Sequence, residues 1–262
     1  MAAEAHAASG AQHGHAHDAG DHHGPLQHQF DTLPQQRECF SLGMWLFLAT
    51  EVMMFGGLFF VYALYRWMQP AAFHEGSGHL NIQLGTINTF VLLFSSWTMA
   101  RAVHAASSAD RRATQMWLGI TWVLGFAFLA IKGVEWTADW NEGLIPGLNW
   151  NYYEHSEHAS KVEALIKEGA GTHHVMLYFV VYFCMTGLHA IHMIIGLAIV
   201  GYFIYLAGKG MFANGNDQPV EILGLYWHLV DIIWIFLFPL LYLIAGFHPF
   251  GHGGGGAASG GH

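Results

Sequence analysis

Residues 224–245, GLYWHLVDIIWIFLFPLLYLIA, are apolar over a length that crosses a bilayer, yet carry His228 and Asp231 in their first half. About 20 such residues suffice to span the hydrocarbon core. On a helix, positions three and four apart share a face, so Trp227, His228, Asp231 and Trp234 fall on one stripe. A carboxylate in hydrocarbon is costly unless it faces protein, so this stripe is expected to point inward. Pro239 is expected to kink the span near its end.

The remainder of the chain has the same character. Of 262 residues, 53% are hydrophobic and only 10% charged, with a mean hydropathy of +0.33. A soluble domain averages about a quarter charged residues. The expected fold is therefore all-α, a polytopic transmembrane helix bundle. Five spans are expected, over residues 42–67, 82–105, 115–136, 174–207 and 222–246, in a membrane domain covering 39–248. The formal charge of −9 argues against nucleic acid as a partner, which demands a basic surface. Cys39 and Cys184 make neither a disulfide framework nor a zinc motif. Residues 1–30 have no apolar core, so the first long apolar helix is the expected insertion signal.

Residues 1–38 are rich in Ala, Gly and His without apolar periodicity and are expected to be a disordered tail. Its histidines (His6, His13, His15, His17, His22, His23, His28) could hold Cu²⁺ or Zn²⁺ loosely; a solvated leader is the simpler expectation. Residues 249–262 form a second, Gly-rich tail. The connection 137–172 is too long for a turn. It is acidic, with Asp139, Glu142, Glu154, Glu157, Glu163 and Glu168 against Lys161 and Lys167. Basic residues set the orientation. A cytoplasmic amino terminus puts Arg37, Arg101, Arg111, Arg112 and Lys209 inside, leaving the acidic loop and the carboxyl terminus outside.

Several polar groups fall at membrane depth. Glu51 sits well inside the first span, and an acid there marks a functional site by default. Asn88, Thr89, Ser95 and Ser96 on the second span read as interhelical hydrogen-bonding groups. Lys132 and Glu135, three apart, could pair near the interface, and a snorkelling lysine beside an interfacial Trp136 is an equally good reading. His189 and His192 share a face of the fourth span. Three functions compete for this set. A bis-histidine haem needs ligands on opposite sides of the iron, which two histidines on one face cannot supply. A divalent-metal transporter would use His, Asp and Glu ligands, but the first three spans offer one mid-membrane ligand and no internal repeat is visible. The third is a structural subunit whose buried polar groups tie helices together and hold lipid. No catalytic residue and no metal ligand is assigned to the chain.

The same residues carry a resemblance. WLFLATEVMMFGGLF at 45–59 resembles the helix of haem–copper oxidase subunit III that bears the family's buried glutamate. Asn88-Thr89, Glu135, Gly187-Leu-His189 followed by His192, and Glu221 with the YWHLVD run ending at Asp231 occur in the family's order. The match covers residues 40–247.

The resemblance implies a non-catalytic subunit of an oxidase that reduces O₂ and pumps protons in aerobic respiration, in the bacterial plasma membrane. Haem and copper would belong to partner subunits. This chain would pack on subunit I, with subunit II in the same complex. It would bind phospholipid in a cleft and support proton uptake and sustained turnover. By the same resemblance Glu51 lies beside the lipid cleft, Lys209 near lipid headgroups, and Asn88, Glu135, His189, His192, His228 and Asp231 tie the bundle. Longer members have seven helices, and the first two have no counterpart here. The five-helix form also occurs in quinol oxidases and in a nitric oxide reductase-associated protein. The acidic loop would suit a basic cytochrome c, which favours the cytochrome c oxidase type. Asp231→Leu is expected to weaken assembly by orphaning His228 or another buried donor.

Overall fold

The computed structural model describes residues 32–150, 172–212 and 217–243. These form helices α1 (Leu33–Met68), α2 (Pro70–Gly78), α3 (Ile82–Ser107) and α4 (Arg111–Asn141). A two-stranded hairpin follows, β1 (Leu144–Ile145) with β2 (Asn149–Trp150). The last two helices are α5 (Thr172–Gly208) and α6 (Gln218–Tyr242). Four stretches, Pro34–Met68, Arg111–Asn141, His173–Gly208 and Gln218–Tyr242, are long and apolar enough to cross a membrane. Five were expected. With 26 residues, α3 has the length of a span but not the apolarity. Its Thr86, Asn88, Thr89, Ser95, Ser96, Thr98 and Arg101 lower its mean hydropathy, and three of them (Asn88, Ser95, Thr98) are buried against other helices.

Helix boundaries follow local chemistry that hydropathy does not register. The first helix begins at Leu33, where a tail to residue 38 and a span from 42 were expected. Thr32 Oγ1 accepts the Gln35 N–H at 3.4 Å and Pro34 occupies the first turn, a capped start. The short α2 was not anticipated: Pro70 opens it directly after α1. Its buried Phe73 packs edge-on against Tyr62 and Tyr178, with ring centroids 5.3 and 5.4 Å apart. Asp110 caps α4 by accepting the N–H groups of Arg112 and Ala113, both at 3.1 Å. At its other end α4 runs on to Asn141, beyond the expected 136. Asp139, expected in a solvated loop, therefore lies on a buried helical face.

The rest of the acidic connection beyond Trp150, with Glu154, Glu157, Lys161, Glu163, Lys167 and Glu168, lies outside the described residues. So do the histidines of the leader, the Gly-rich tail and the expected end of the last span at 244–246.

The core sits where α3, α4, α5 and α6 pack on one another. Trp227 and Trp234 of α6, Phe128 of α4, Tyr178 and Tyr182 of α5 and Tyr242 of α6 are all fully buried. Side-chain hydrogen bonds cross the same interior, as bundle helices in a membrane favour. Trp227 Nε1 donates to Ser95 at 3.0 Å, Trp234 Nε1 donates to Thr89 at 3.2 Å, and the Thr98 and Thr121 hydroxyls meet at 2.8 Å. The last turn of α6 has carbonyls without intrahelical partners. Tyr62 of α1 donates to Leu240 O at 2.6 Å and Tyr178 of α5 to Leu241 O at 3.0 Å, so two other helices close that end. At the opposite end Arg111 donates to the Gly208 carbonyl and Gln218 Nε2 to Arg37 O at 3.1 Å. The outlier is α1. Only 11% of its apolar window is buried, against 50% for α6, and the separation opens a groove beside it.

Candidate functional site

The groove lies between α1, α5 and α6 and encloses about 460 Å³. Its walls are apolar, from Phe47 on α1, Ile199 and Phe203 on α5, and Ile222 on α6. Glu51 and His192 are the charged or chargeable side chains of this lining. His192 Nε2 stands 3.0 Å from Glu51 Oε2, although that oxygen has no well-aligned hydrogen bond. The other ring nitrogen fixes the chemistry. His192 Nδ1 lies 2.8 Å from the Leu188 carbonyl. A carbonyl can only accept, so Nδ1 carries the hydrogen there. Nε2 is the ring nitrogen that faces the Glu51 carboxyl. The pair joins α1 to α5 and opens on the groove. Tyr226 steadies the imidazole's helix by donating to His192 O at 2.8 Å, and Phe55 meets the ring edge-on at 5.4 Å.

A second polar centre is closed to the groove. Lys132 Nζ donates to Glu135 Oε2 at 2.9 Å, to Tyr182 Oη at 3.0 Å and to Tyr242 Oη at 2.5 Å. Glu135 Oε1 accepts from Tyr242 at 2.5 Å and from Tyr182 at 3.3 Å. The ammonium also lies 5.0 to 5.5 Å from the ring centres of Tyr182, Tyr242 and Trp234, within reach of their negative faces. Lysine and glutamate at helical spacing meet as their sequence suggested. The two tyrosines that complete the cluster were not singled out. Within an apolar segment a tyrosine reads as one more ring, and only its phenol end betrays a polar task.

The remaining expected residues fall apart into separate places. His228 is partly exposed, and its Nδ1 pairs with the Ser96 hydroxyl at 2.7 Å. Of the two expected partners for Asp231, His228 or another buried donor, the structure places Ser96 beside it and pairs His228 with that same hydroxyl. On the inward stripe of α6, Trp227, Asp231 and Trp234 are buried as expected, while His228 stands at its margin. His189 is buried between Phe128 and Trp234, at centroid distances of 5.6 and 5.3 Å. Neither of its ring nitrogens has a hydrogen-bond partner among the described residues, so its contacts there are ring packing. Asn88 is fully buried on α3. Lys209 is exposed just past α5, its ammonium 4.5 Å from the Tyr205 ring centre, and does not line the groove. Among the described residues no three His, Cys, Asp or Glu side chains gather as a metal site.

The fold and groove define a helical membrane protein built around buried polar clusters and a membrane-depth acid–imidazole pair. The sequence model described as cytochrome c oxidase subunit III matches residues 168–246. A curated relative from Synechocystis sp., named cytochrome c oxidase subunit 3, is 30% identical over 203 residues, 77% of this chain and 74% of its own length. One from Corynebacterium diphtheriae with the same name is 30% identical over 207 residues, 78% of this chain and 87% of its own. A Staphylococcus aureus relative named probable quinol oxidase subunit 3 is 25% identical over 218 residues, 82% and 93% of the two chains. The chain belongs to the subunit III family of haem–copper oxidases. Its role is that of a subunit III within a terminal oxidase complex in a membrane, associated with other oxidase subunits. Membership replaces the transporter reading.

Proposed function

We propose that this chain is the non-catalytic subunit III of a proton-pumping haem–copper oxidase of the cytochrome c type, packed on subunit I with subunit II in the same complex. The observation that carries this is the groove: apolar walls with one acid–imidazole pair, Glu51–His192, at membrane depth. An acyl chain fits such walls. A phospholipid seated there, its headgroup near Lys209, would tie lipid occupancy to that pair and so support proton uptake and sustained turnover. In this arrangement α3 is the fifth span, since its polar face is turned to the bundle. The amino terminus is cytoplasmic, in a bacterial plasma membrane, and the acidic connection faces outside, where a basic cytochrome c would dock. Haem and copper sit in the partner subunits. Quinol as the electron donor is the second reading, favoured by the Staphylococcus relative.

Purification of the tagged chain in mild detergent, with a reduced-minus-oxidised spectrum, tests the assignment. Haem absorbance should co-purify with larger partners and stay with them when this chain is stripped away. Haem that stays with the isolated chain would overturn it. Within the complex, Glu51→Ala is expected to leave assembly intact, lower the phospholipid retained per complex and shorten the lifetime of turnover. Disassembly of the complex would instead make Glu51 a structural tie.

A further inference from the structure

We propose that the centre of the bundle formed by α3, α4, α5 and α6 is a water-binding site. Ordered water bonded to Asn88, His189 and Asp231 joins these groups, around Trp234, to the Lys132–Glu135–Tyr182–Tyr242 cluster. Asn88, His189 and Asp231 stand on three different helices and are respectively 0%, 1% and 2% exposed. The four side-chain polar atoms of Asn88 and His189 lack a hydrogen bond among the described residues, and neither Asp231 oxygen has a well-aligned one, with only Ser96 close by. Buried polar groups are rarely left in that state, and within a bilayer neither lipid tails nor bulk water can relieve them.

His189 packs on Trp234, and Asn88 and Asp231 stand close to that contact along their helices. The His189 ring centre is 5.3 Å from that of Trp234. Thr89, next to Asn88 in the chain, accepts from Trp234 Nε1 at 3.2 Å. Asp231 precedes Trp234 by less than a helical turn, on the same buried face. Lys132 Nζ lies 5.5 Å from the Trp234 ring centre, so the lysine cluster reaches the same indole.

The chemistry of the groups selects the ligand. Asn88 offers two donors and an acceptor, His189 one donor and one acceptor, and Asp231 acceptors. Water donates and accepts at once and makes about three such bonds when buried. A cation would meet the donor hydrogens of Asn88, and an anion would meet Asp231. Water bridging these positions forms a chain of exchangeable groups from Tyr242 to Asp231, roughly 16 Å along α6 at 1.5 Å per residue. Ser96, which stands close to Asp231 and bonds His228, extends it toward the surface of the bundle. The proposal is independent of what occupies the groove beside α1.

Radiolytic hydroxyl-radical labelling of the intact oxidase complex in lipid nanodiscs reads this directly, because bound water is activated next to the side chain it touches. Trp234 should be labelled several-fold faster than Phe73, which is equally buried but packed among rings. His189→Phe keeps a ring between Phe128 and Trp234 while removing two of the polar atoms. It should slow labelling of Trp234 several-fold with an unchanged yield of complex. A cryo-EM map of the wild-type complex fine enough to show water should place density within about 3.2 Å of Asn88, His189 or Asp231. Trp234 as protected as Phe73, or a map in which Asn88 and Asp231 bond each other with no water between, would overturn the proposal.

Discussion

Lys132→Met should destabilise this chain by about 3–5 kcal/mol, the usual cost of removing one partner from a buried ion pair. The ammonium is the hub of its cluster. It donates to Glu135, Tyr182 and Tyr242, and is itself 2% exposed. Without it Glu135 keeps only the two phenols as protein donors, inside a bundle that bulk solvent and counter-ions do not reach freely. Methionine fills most of the vacated volume, so the loss is electrostatic and not a cavity effect. Thermal unfolding of the purified complex, followed by loss of this subunit on native gels, should show a lower midpoint. The double variant Lys132→Met with Glu135→Leu removes both members and should recover much of the loss, because replacing a buried pair by apolar groups is often close to neutral. A single variant as stable as the wild type would show that the cluster carries no net stabilisation. A double variant worse than the single would mean that Glu135 holds the tyrosines in place without the lysine.

The inward stripe of α6 was legible because a carboxylate among apolar residues has few tolerable positions, and helical spacing says which neighbours share its face. Pairing within one helix was equally readable: Lys132 and Glu135 need only a separation of three. What the sequence did not reveal were contacts between helices. Glu51 and His192 each looked buried and polar, but no local pattern sets the rotation of α1 against α5, so their meeting at 3.0 Å emerged only with packing. The sequence left the donor facing Asp231 open between His228 and another group for the related reason that Ser96, which bonds His228, comes from a different helix. Hydropathy also misplaced ends. Thr32 with Pro34, and Pro70, start helices by capping and by a fixed φ, signals unrelated to apolarity. Asp139 illustrates the converse error. An acid was taken as the mark of a loop, whereas α4 continues through it and buries it.

Gly125→Leu should disrupt the bundle more than any other apolar substitution at that level of α4, because the glycine is the space into which Trp227 packs. A Cβ at Gly125 would lie 2.8 Å from Trp227 Cη2 and 2.9 Å from Leu197 Cδ2, closer than real carbon atoms approach. The indole cannot retreat. On its other side a Cβ at Gly196 of α5 would stand 3.1 Å from Trp227 Cζ3, and Trp227 Nε1 is anchored to Ser95 of α3. One ring thus keys four helices together, and small residues facing it let the backbones close in, the usual device of helix packing in lipid. Overpacking a filled core costs about 1–3 kcal/mol, occasionally more. A leucine driven into a tryptophan with no free side belongs at the upper end. The readout is the fraction of oxidase complex that retains this subunit through purification, with its thermal midpoint. Trp227→Phe in the Gly125→Ala background tests the cause, since a smaller ring makes room for one methyl group. It should restore more of the midpoint lost by Gly125→Ala than Trp227→Phe costs alone. Strictly additive losses in that pair would mean that the ring and the glycine do not compete for the same volume.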